Sequence, residues 1–268
     1  MTAPQAGRPA GEGGPPAAKG GDLELVRRRV GWMRAGTAAF WDAAGRLTAD
    51  RATEPSGLPG WSNAHVLAHV ARNADGLCNL LAWARTGVPT PMYAGPAQRD
   101  ADIAAGSALP LDRLLAELES SSARLDDAVA ALPAEAWGAT VTSGRGRQVA
   151  AAEIPWIRCR EVWVHAVDLG TGPTFGDVPP DMAAALLTEL AAWAAVGRDA
   201  GFEIVPTDGR GPLAVGPVGN SRVGGTQVGG PRVGGTVAGL AAWLSGRSGG
   251  AGLTVSPAGP LPALRPWL

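Results

Sequence analysis

Apolar residues recur every three or four positions along most of the chain before residue 200, which is the pattern of amphipathic α-helices. This pattern predicts four long helices that pack as a helical bundle, and a fifth helix that follows them. Asp22 and Ser62 are suitable N-caps for the first two helices, and Pro133 and Gly170 stop the next two. The predicted helices span residues 22–47, 62–85, 111–132, 150–169 and 179–198.

Three segments in this part of the chain lack helical periodicity. Residues 86–106 contain several glycines and prolines, which predicts a long loop of the kind that often forms a lid or a substrate wall. Residues 138–148 predict an extended or looped segment. Residues 1–21 are rich in Gly, Pro and Ala and cannot bury enough apolar surface to fold, so we expect a disordered tail.

The pattern changes beyond residue 200 to short apolar runs separated by turn residues. These runs predict a small α+β domain over residues 201–268, which follows a bundle domain over residues 22–200. Its elements are strands at 202–205, 213–215 and 253–255 and a helix at 237–244.

A glycine-rich insertion at residues 222–235 contains three copies of a five-residue repeat. Three copies of so short a unit cannot form a solenoid. The insertion also lacks the GxGxxG and GK[ST] spacings of phosphate-binding loops. We therefore expect a flexible hairpin extension rather than a ligand site.

Composition and charge argue against several classes of function. Hydrophobic residues make up 46% of the chain, charged residues 18%, and the net charge is -1, which describes a soluble globular protein without the basic surface that binds nucleic acid. The longest apolar stretches, such as 182–196, are too short or too interrupted to cross a bilayer. The N-terminus lacks the apolar core of a signal peptide, so we expect a cytoplasmic protein. Cys78 and Cys159 are not in a CxxC motif and do not form a disulfide framework.

All three histidines lie in two apolar helical stretches. One stretch contains His65 and His69, and the other contains Glu161 and His165. Glu161 and His165 are four residues apart, so they share one helix face. A carboxylate and an imidazole in apolar surroundings need a partner, which the first stretch can supply. The set His69, Glu161 and His165 suits zinc or another divalent ion and leaves at least one coordination position open, as in catalytic sites.

The residues alone leave alternatives to this interpretation. His65 and His69 share a helix face, so either or both could be ligands. Glu and His four residues apart are also common on solvated helix faces that bind no metal. Asp168 could orient His165 as an outer carboxylate, or it could simply end the helix. Arg158 lies near the same face and is better explained as a structural residue.

Two segments of the chain carry known family signatures. Residues 58–75 read LPGWSNAHVLAHVARNAD, and residues 160–169 read REVWVHAVDL. Together they resemble the mycothiol-dependent maleylpyruvate isomerase family, which belongs to the wider DinB-like metalloproteins. The resemblance implies a mainly α fold, in which a DinB-like four-helix bundle is followed by a small C-terminal α+β domain. It also implies the metal ligands, which are His69, Glu161 and His165, with His65 beside the site.

A third segment of this family resemblance lies in the C-terminal domain. Members carry a W-L-x-G-R sequence, which is present here as WLSGR at residues 243–247. The resemblance implies that Arg247 faces the active site as a catalytic residue. There it could hold a carboxylate of substrate or thiol through paired hydrogen bonds. The alternative is a surface cation at the end of a helix.

The implied function is that of an enzyme that depends on a divalent metal, with zinc as the first candidate, and on mycothiol, a small thiol. The metal would bind the thiol and favour its thiolate. The thiolate would add to the cis double bond of maleylpyruvate. Rotation about the resulting single bond and elimination of the thiolate would then give fumarylpyruvate. The alternatives are a mycothiol S-transferase that conjugates an electrophilic metabolite or drug, and a non-catalytic metal-binding module. We expect small-molecule partners, no nucleic acid and no membrane, and the oligomeric state stays open.

Overall fold

The computed structural model of the protein describes residues 20–217, 221–223, 226–228 and 230–267. The predicted tail therefore lies outside the described residues as far as residue 19. The α-helices in the described part are α1 (Gly20–Ala44), α2 (Ala49–Thr53), α3 (Asn63–Thr86), α4 (Pro96–Ser107), α5 (Leu111–Ala130), α6 (Ile154–Asp168), α7 (Pro180–Ala195) and α8 (Val237–Leu244). Short 3-10 helices occur at Ala134–Gly138, Ala151–Glu153 and Phe175–Asp177. The mainly α fold class is confirmed, and each of the five predicted helices is present to within a few residues.

Helices α1, α3, α5 and α6 form a bundle around one apolar core. Helix α1 packs against α6, while α3 packs against both α5 and α6. Leu67 and Leu77 of α3 and Leu118 of α5 are almost completely buried in this core. Each such leucine stabilises the fold by about 2 kcal/mol relative to an exposed side chain. The bundle therefore holds α3 and α6 side by side, which positions the site described below.

The predicted loop at residues 86–106 is wrong over its second half, where α4 forms. Pro96 occupies the first helical position, at which the missing backbone N–H is not needed, so proline starts this helix instead of preventing it. Helix α4 packs against α3, with Ile103 buried and Gly106 close to Ala68. The true loop is the shorter segment between α3 and α4.

A β-hairpin stands between α5 and α6, where the sequence predicted an extended or looped segment. Strands β1 (Thr140–Thr142) and β2 (Gln148–Ala150) pair antiparallel. The turn between them closes through hydrogen bonds from Ser143 N to the carbonyl of Arg147 and from Gly146 N to the carbonyl of Ser143, both 2.8 Å. Gly146 has a φ of 77°, a conformation that glycine adopts without strain.

The C-terminal part contains a four-stranded sheet in the order β4-β3-β7-β8. Strand β3 pairs parallel with β7, and the other two pairings are antiparallel. Helix α7 packs against α8 and β4. The strands of this part are β3 (Phe202–Pro206), β4 (Leu213–Val215), β5 (Ser221–Val223), β6 (Thr226–Val228), β7 (Arg232–Gly235) and β8 (Thr254–Ser256). The predicted strands at 202–205, 213–215 and 253–255 and the helix at 237–244 are thus confirmed.

The glycine-rich insertion differs from its prediction in the third copy of the repeat. That copy forms β7, a central strand of the sheet, and its Val233 is fully buried. Gly234 and Gly235 allow close packing there, because a Cβ on them would lie 2.7 Å from Thr254 and 2.3 Å from Leu253. The first two copies contribute β5 and β6, which pair antiparallel with each other. Residues 224, 225 and 229 of these copies lie outside the described residues.

Among the residues described, none of the helices combines the length and the apolar character that a membrane span requires.

Candidate metal centre

The side chains of His69, Glu161 and His165 meet where α3 faces α6. Glu161 Oε2 lies 2.8 Å from His69 Nε2 and 3.2 Å from His165 Nε2. The candidate ligand atoms of the three residues all lie within 4.8 Å of one another. Both histidines are buried. Two imidazoles and a carboxylate at this spacing fit a divalent ion such as zinc with a position left for a further ligand.

His65 lies outside this cluster and serves the start of α3. Its ring Nδ1 lies 2.8 Å from the hydroxyl of Ser62, the N-cap residue of that helix. The hydroxyl of Ser62 in turn accepts a hydrogen bond from the backbone N–H of His65. The ring of His65 is thus part of a capping box at the start of α3. The geometry therefore places His69 rather than His65 among the candidate ligands.

Asp168 fixes the orientation of His165. Its Oδ2 lies 2.8 Å from His165 Nδ1, and its side chain is fully buried. A proton on Nδ1 that is donated to Asp168 leaves Nε2 unprotonated and directed toward Glu161. A carboxylate in this outer position sets the tautomer and the ring orientation of a metal-binding histidine. Of the two roles considered for Asp168, the structure therefore supports the orienting one.

Arg247 reaches Asp168 from the C-terminal part of the chain. Its Nε and Nη2 each donate to a carboxylate oxygen of Asp168 at 3.0 Å, and its Nη1 donates to the carbonyl of Ser245 at 2.8 Å. The side chain is buried and does not line the cavity described below. The carboxylate that Arg247 holds in this structure is therefore that of Asp168.

Arg158 lies on α6 between the bundle helices and is completely buried. It donates to the carbonyl of Val70 at 2.6 Å and to Asn73 Oδ1 at 3.0 Å. Burial lowers the pKa of its guanidinium to about 10. These contacts link α6 to α3, in agreement with the structural role expected from the sequence.

The charges at the cluster favour the metal-binding forms of Glu161 and His69, but not that of His165. Burial alone would raise the pKa of Glu161, but the charge of His69 and hydrogen bonds from both histidines outweigh it and hold the pKa well below its usual range. Burial lowers the pKa of His69, which favours the neutral ring. Burial would also lower the pKa of His165, but hydrogen bonds to Asp168 and Glu161 outweigh it and raise the pKa. Metal binding would therefore release a proton from His165.

Arg99 of α4 is a functional candidate that the sequence analysis missed. Its Nη2 lies 3.1 Å from His69 Nδ1, and its Nη1 donates to Asp100 at 2.9 Å. A neutral His69 that binds a metal through Nε2 carries its proton on Nδ1, which can then no longer accept from Arg99. Arg99 would have to turn toward another acceptor. The residue was missed because its helix lies in a segment that was predicted to be a loop.

The cluster lies in a cavity of about 1000 Å³. Trp61 forms part of the wall, with its ring centre 5.3 Å from that of His69. The turn of the β1–β2 hairpin and residues of α6 and α7 also line the cavity, and Trp267 contributes from the C-terminal part of the chain. This volume is in the upper range of cavities that hold small organic ligands.

Comparison with known proteins gives consistent results. Residues 33–170 match the family model described as the mycothiol maleylpyruvate isomerase N-terminal domain. Two solved structures of mycothiol-dependent maleylpyruvate isomerase, one of them a histidine-to-alanine mutant, are similar to this chain with TM-scores of 0.82 and identities of 36% and 35%. Each similarity covers 90% of this chain and 97% of the solved chain. No curated protein matches the sequence.

Proposed function

Because this chain belongs to the mycothiol-dependent maleylpyruvate isomerase family, we propose that it isomerises maleylpyruvate to fumarylpyruvate in a reaction that needs mycothiol and a divalent metal, with zinc as the first candidate. The observation that carries this proposal is the buried cluster of His69, Glu161 and His165 in a cavity of about 1000 Å³. One carboxylate and two imidazole ligands, with one coordination position left free, form a typical ligand set of catalytic zinc.

The three cluster residues would hold the metal, and the surrounding residues would keep them in place. A divalent ion bound there would supply an open position that binds a thiol sulfur and favours its thiolate near neutral pH. Asp168 holds the ring of His165, and Arg247 holds Asp168. Glu161 provides the negative charge of the ligand set, and its low pKa keeps that charge over the physiological range.

The proposed isomerisation needs space in the cavity for the substrate to change shape. Reversible addition of the thiolate to the cis double bond of maleylpyruvate would give a carbon–carbon single bond. Rotation about this bond, followed by elimination of the thiolate, would give the trans product. The cavity has to admit both a thiol and a dicarboxylate and still leave space for that rotation, which its volume supports. Trp61 and Tyr93 contribute aromatic surface to the wall of this cavity.

The test is a paired measurement of metal content and activity on the purified protein. We expect stoichiometric metal and conversion of maleylpyruvate only when mycothiol is present. His69→Ala and Glu161→Gln should lose both metal and thiol-dependent activity and remain folded. His65→Gln is the matched histidine control and should keep both, since its ring contacts Ser62 and not the cluster.

Two outcomes would contradict the proposal. Full metal content in Glu161→Gln would mean that the ligand assignment is wrong. If the native protein binds metal but does not isomerise maleylpyruvate, the S-transferase alternative would explain the same site better. A screen of electrophiles with mycothiol would then test that alternative.

A further inference from the structure

The acidic residues that line the cavity already have partners. Glu189 accepts a hydrogen bond from Arg160, which lies on α6. Glu153 accepts from Arg29 at 2.7 Å. Glu161 faces the two histidines of the candidate metal centre. Among the described residues that line the cavity, each carboxylate therefore already has a partner and none is left to neutralise a further cation.

Two arginines of the cavity have no such partner. Arg145 and Arg147 lie in the turn of the β1–β2 hairpin and line the same cavity as Glu161. Neither guanidinium forms a hydrogen bond or an ion pair with any residue that the structure describes. Two unpaired guanidiniums beside a candidate metal centre form a positively charged wall that faces the cavity.

Contacts on two sides hold the hairpin turn that carries these side chains. The backbone N–H of Gly144 donates to the sulfur of Met92 at 3.1 Å, and a Cβ at Gly144 would lie 3.4 Å from Tyr93. The guanidinium of Arg145 lies over the ring of Trp193 of α7, 5.5 Å from its centre. The turn is thus packed against the loop before α4 on one side and against α7 on the other.

The surroundings of Arg145 favour the binding of an anion. Partial desolvation lowers the pKa of its guanidinium and repulsion from Arg160 lowers it further, whereas the charges of Glu161 and Glu189 raise it. Arg145 and Arg147 are both exposed to solvent, so an anion that enters the cavity can reach their guanidinium groups. A carboxylate is an anion that matches a guanidinium, because the two groups can form two parallel hydrogen bonds.

We propose that Arg145 and Arg147 form an anion subsite that binds a carboxylate of a small dicarboxylate substrate, in the cavity that also contains the candidate metal centre. The inference rests on the proposed function, since maleylpyruvate is a dicarboxylate. It assigns substrate recognition to the hairpin turn, whereas Arg247 holds Asp168. The subsite anchors one end of the substrate, so that its double bond stays near the cluster of His69, Glu161 and His165.

The first experiment measures binding to the metal-loaded protein without turnover. The probe is pimelate, a saturated dicarboxylate that matches the chain length of the substrate and cannot react, and calorimetry gives its Kd. Heptanoate, which has one carboxylate fewer, is the matched ligand control. We expect the native protein to bind pimelate more tightly than heptanoate. Arg145→Gln should weaken pimelate binding at least tenfold, and the double variant with Arg147→Gln should abolish the preference.

The matched protein control is Arg113→Gln, which removes an exposed arginine of α5 away from the cavity. It should bind pimelate like the native protein. Arg145→Lys should restore part of the affinity, because it keeps the charge but loses the paired geometry. In the isomerase assay Arg145→Gln should raise KM for maleylpyruvate more than it lowers kcat, with unchanged metal content.

Two results would overturn the inference. One is a double variant that binds pimelate as tightly as the native protein, and the other is a native protein that does not distinguish pimelate from heptanoate. The binding measurement needs neither mycothiol nor turnover. A failure of the proposed isomerase activity would therefore leave the pimelate result intact, and the two failures can be told apart.

Discussion

One carboxylate connects the two parts of the chain at the candidate metal centre. Asp168 accepts hydrogen bonds from His165 of the bundle and from Arg247 beyond α8. Burial alone would raise the pKa of Asp168, but the hydrogen bonds from His165 and Arg247 outweigh it and lower the pKa. The group is therefore an anion between two donors, and its charge is needed by both.

Asp168→Asn should weaken metal binding without removing a ligand. The amide cannot accept from His165 and from both nitrogens of Arg247 as the carboxylate does, and it leaves a buried guanidinium unpaired. We expect the metal Kd to rise by about 10- to 100-fold, as for other outer partners of metal-binding histidines. Competition with a chromophoric chelator measures this. Asp181→Asn, an exposed aspartate at the start of α7, should leave the Kd unchanged, and an unchanged Kd in Asp168→Asn would contradict the orienting role.

Individual residues differ in how far the sequence could place them. Helical spacing and the scarcity of histidine placed Glu161 and His165 together with the stretch that contains His65 and His69, and the family resemblance then selected His69 as the ligand. Arg145 and Arg147 could not be found in this way, because they stand in a turn with no periodic pattern. Their position over the cavity depends on contacts with segments that are distant in sequence, such as α7.

Close packing between α1 and α6 supports the candidate metal centre at the level of helices. A Cβ at Gly36 would lie 2.5 Å from Val162 and 2.6 Å from Trp163, the two residues that follow Glu161. Trp163 Nε1 also donates to the carbonyl of Trp32 on α1 at 3.0 Å. The absence of a side chain at Gly36 therefore lets α6 approach α1 and present Glu161 to α3.

Gly36→Ala should destabilise the protein by about 1–3 kcal/mol, because the added methyl group overpacks a buried contact. Gly31→Ala in the same helix is the matched control, since a Cβ there meets nothing within 4 Å. Removing an exposed helical glycine should leave stability unchanged or raise it by up to about 1 kcal/mol. Denaturant unfolding of both variants measures the difference. If the two variants were equally stable, α1 and α6 could move apart at this contact without a loss of unfolding free energy.

The helices were easier to predict than the strands, for physical reasons. A long amphipathic helix such as α5 carries its signal in its own sequence, because one face is buried along its whole length. The buried strand β7 carries little local signal, since two of its four residues are glycine and it is stabilised by β3 and β8. Helix α4 was missed because proline and glycine before it were interpreted as loop residues.

The division of the whole molecule into domains remains a proposal, and the packing bears on where the boundary lies. The sequence predicted a bundle domain at 22–200 and an α+β domain at 201–268. Helix α7 packs against α8 and β4, which belong to the C-terminal part, and Trp193 of α7 donates to the carbonyl of Pro266. We therefore propose that the boundary lies near Gly170, where the match to the family model also ends.

A fragment of residues 20–172 and one of residues 20–200 should behave differently if the boundary lies near Gly170. The longer fragment retains α7 without α8 and β4, so apolar residues such as Leu187 and Leu190 lose the surfaces that bury them. We expect it to bind a hydrophobic dye and to self-associate more than the shorter fragment, as measured by dye fluorescence and light scattering. Both fragments lack Arg247, so both lose the contact to Asp168, and the comparison isolates α7. A longer fragment that stays monomeric and binds no more dye would place the boundary after residue 200, because α7 would then be stable on the bundle alone.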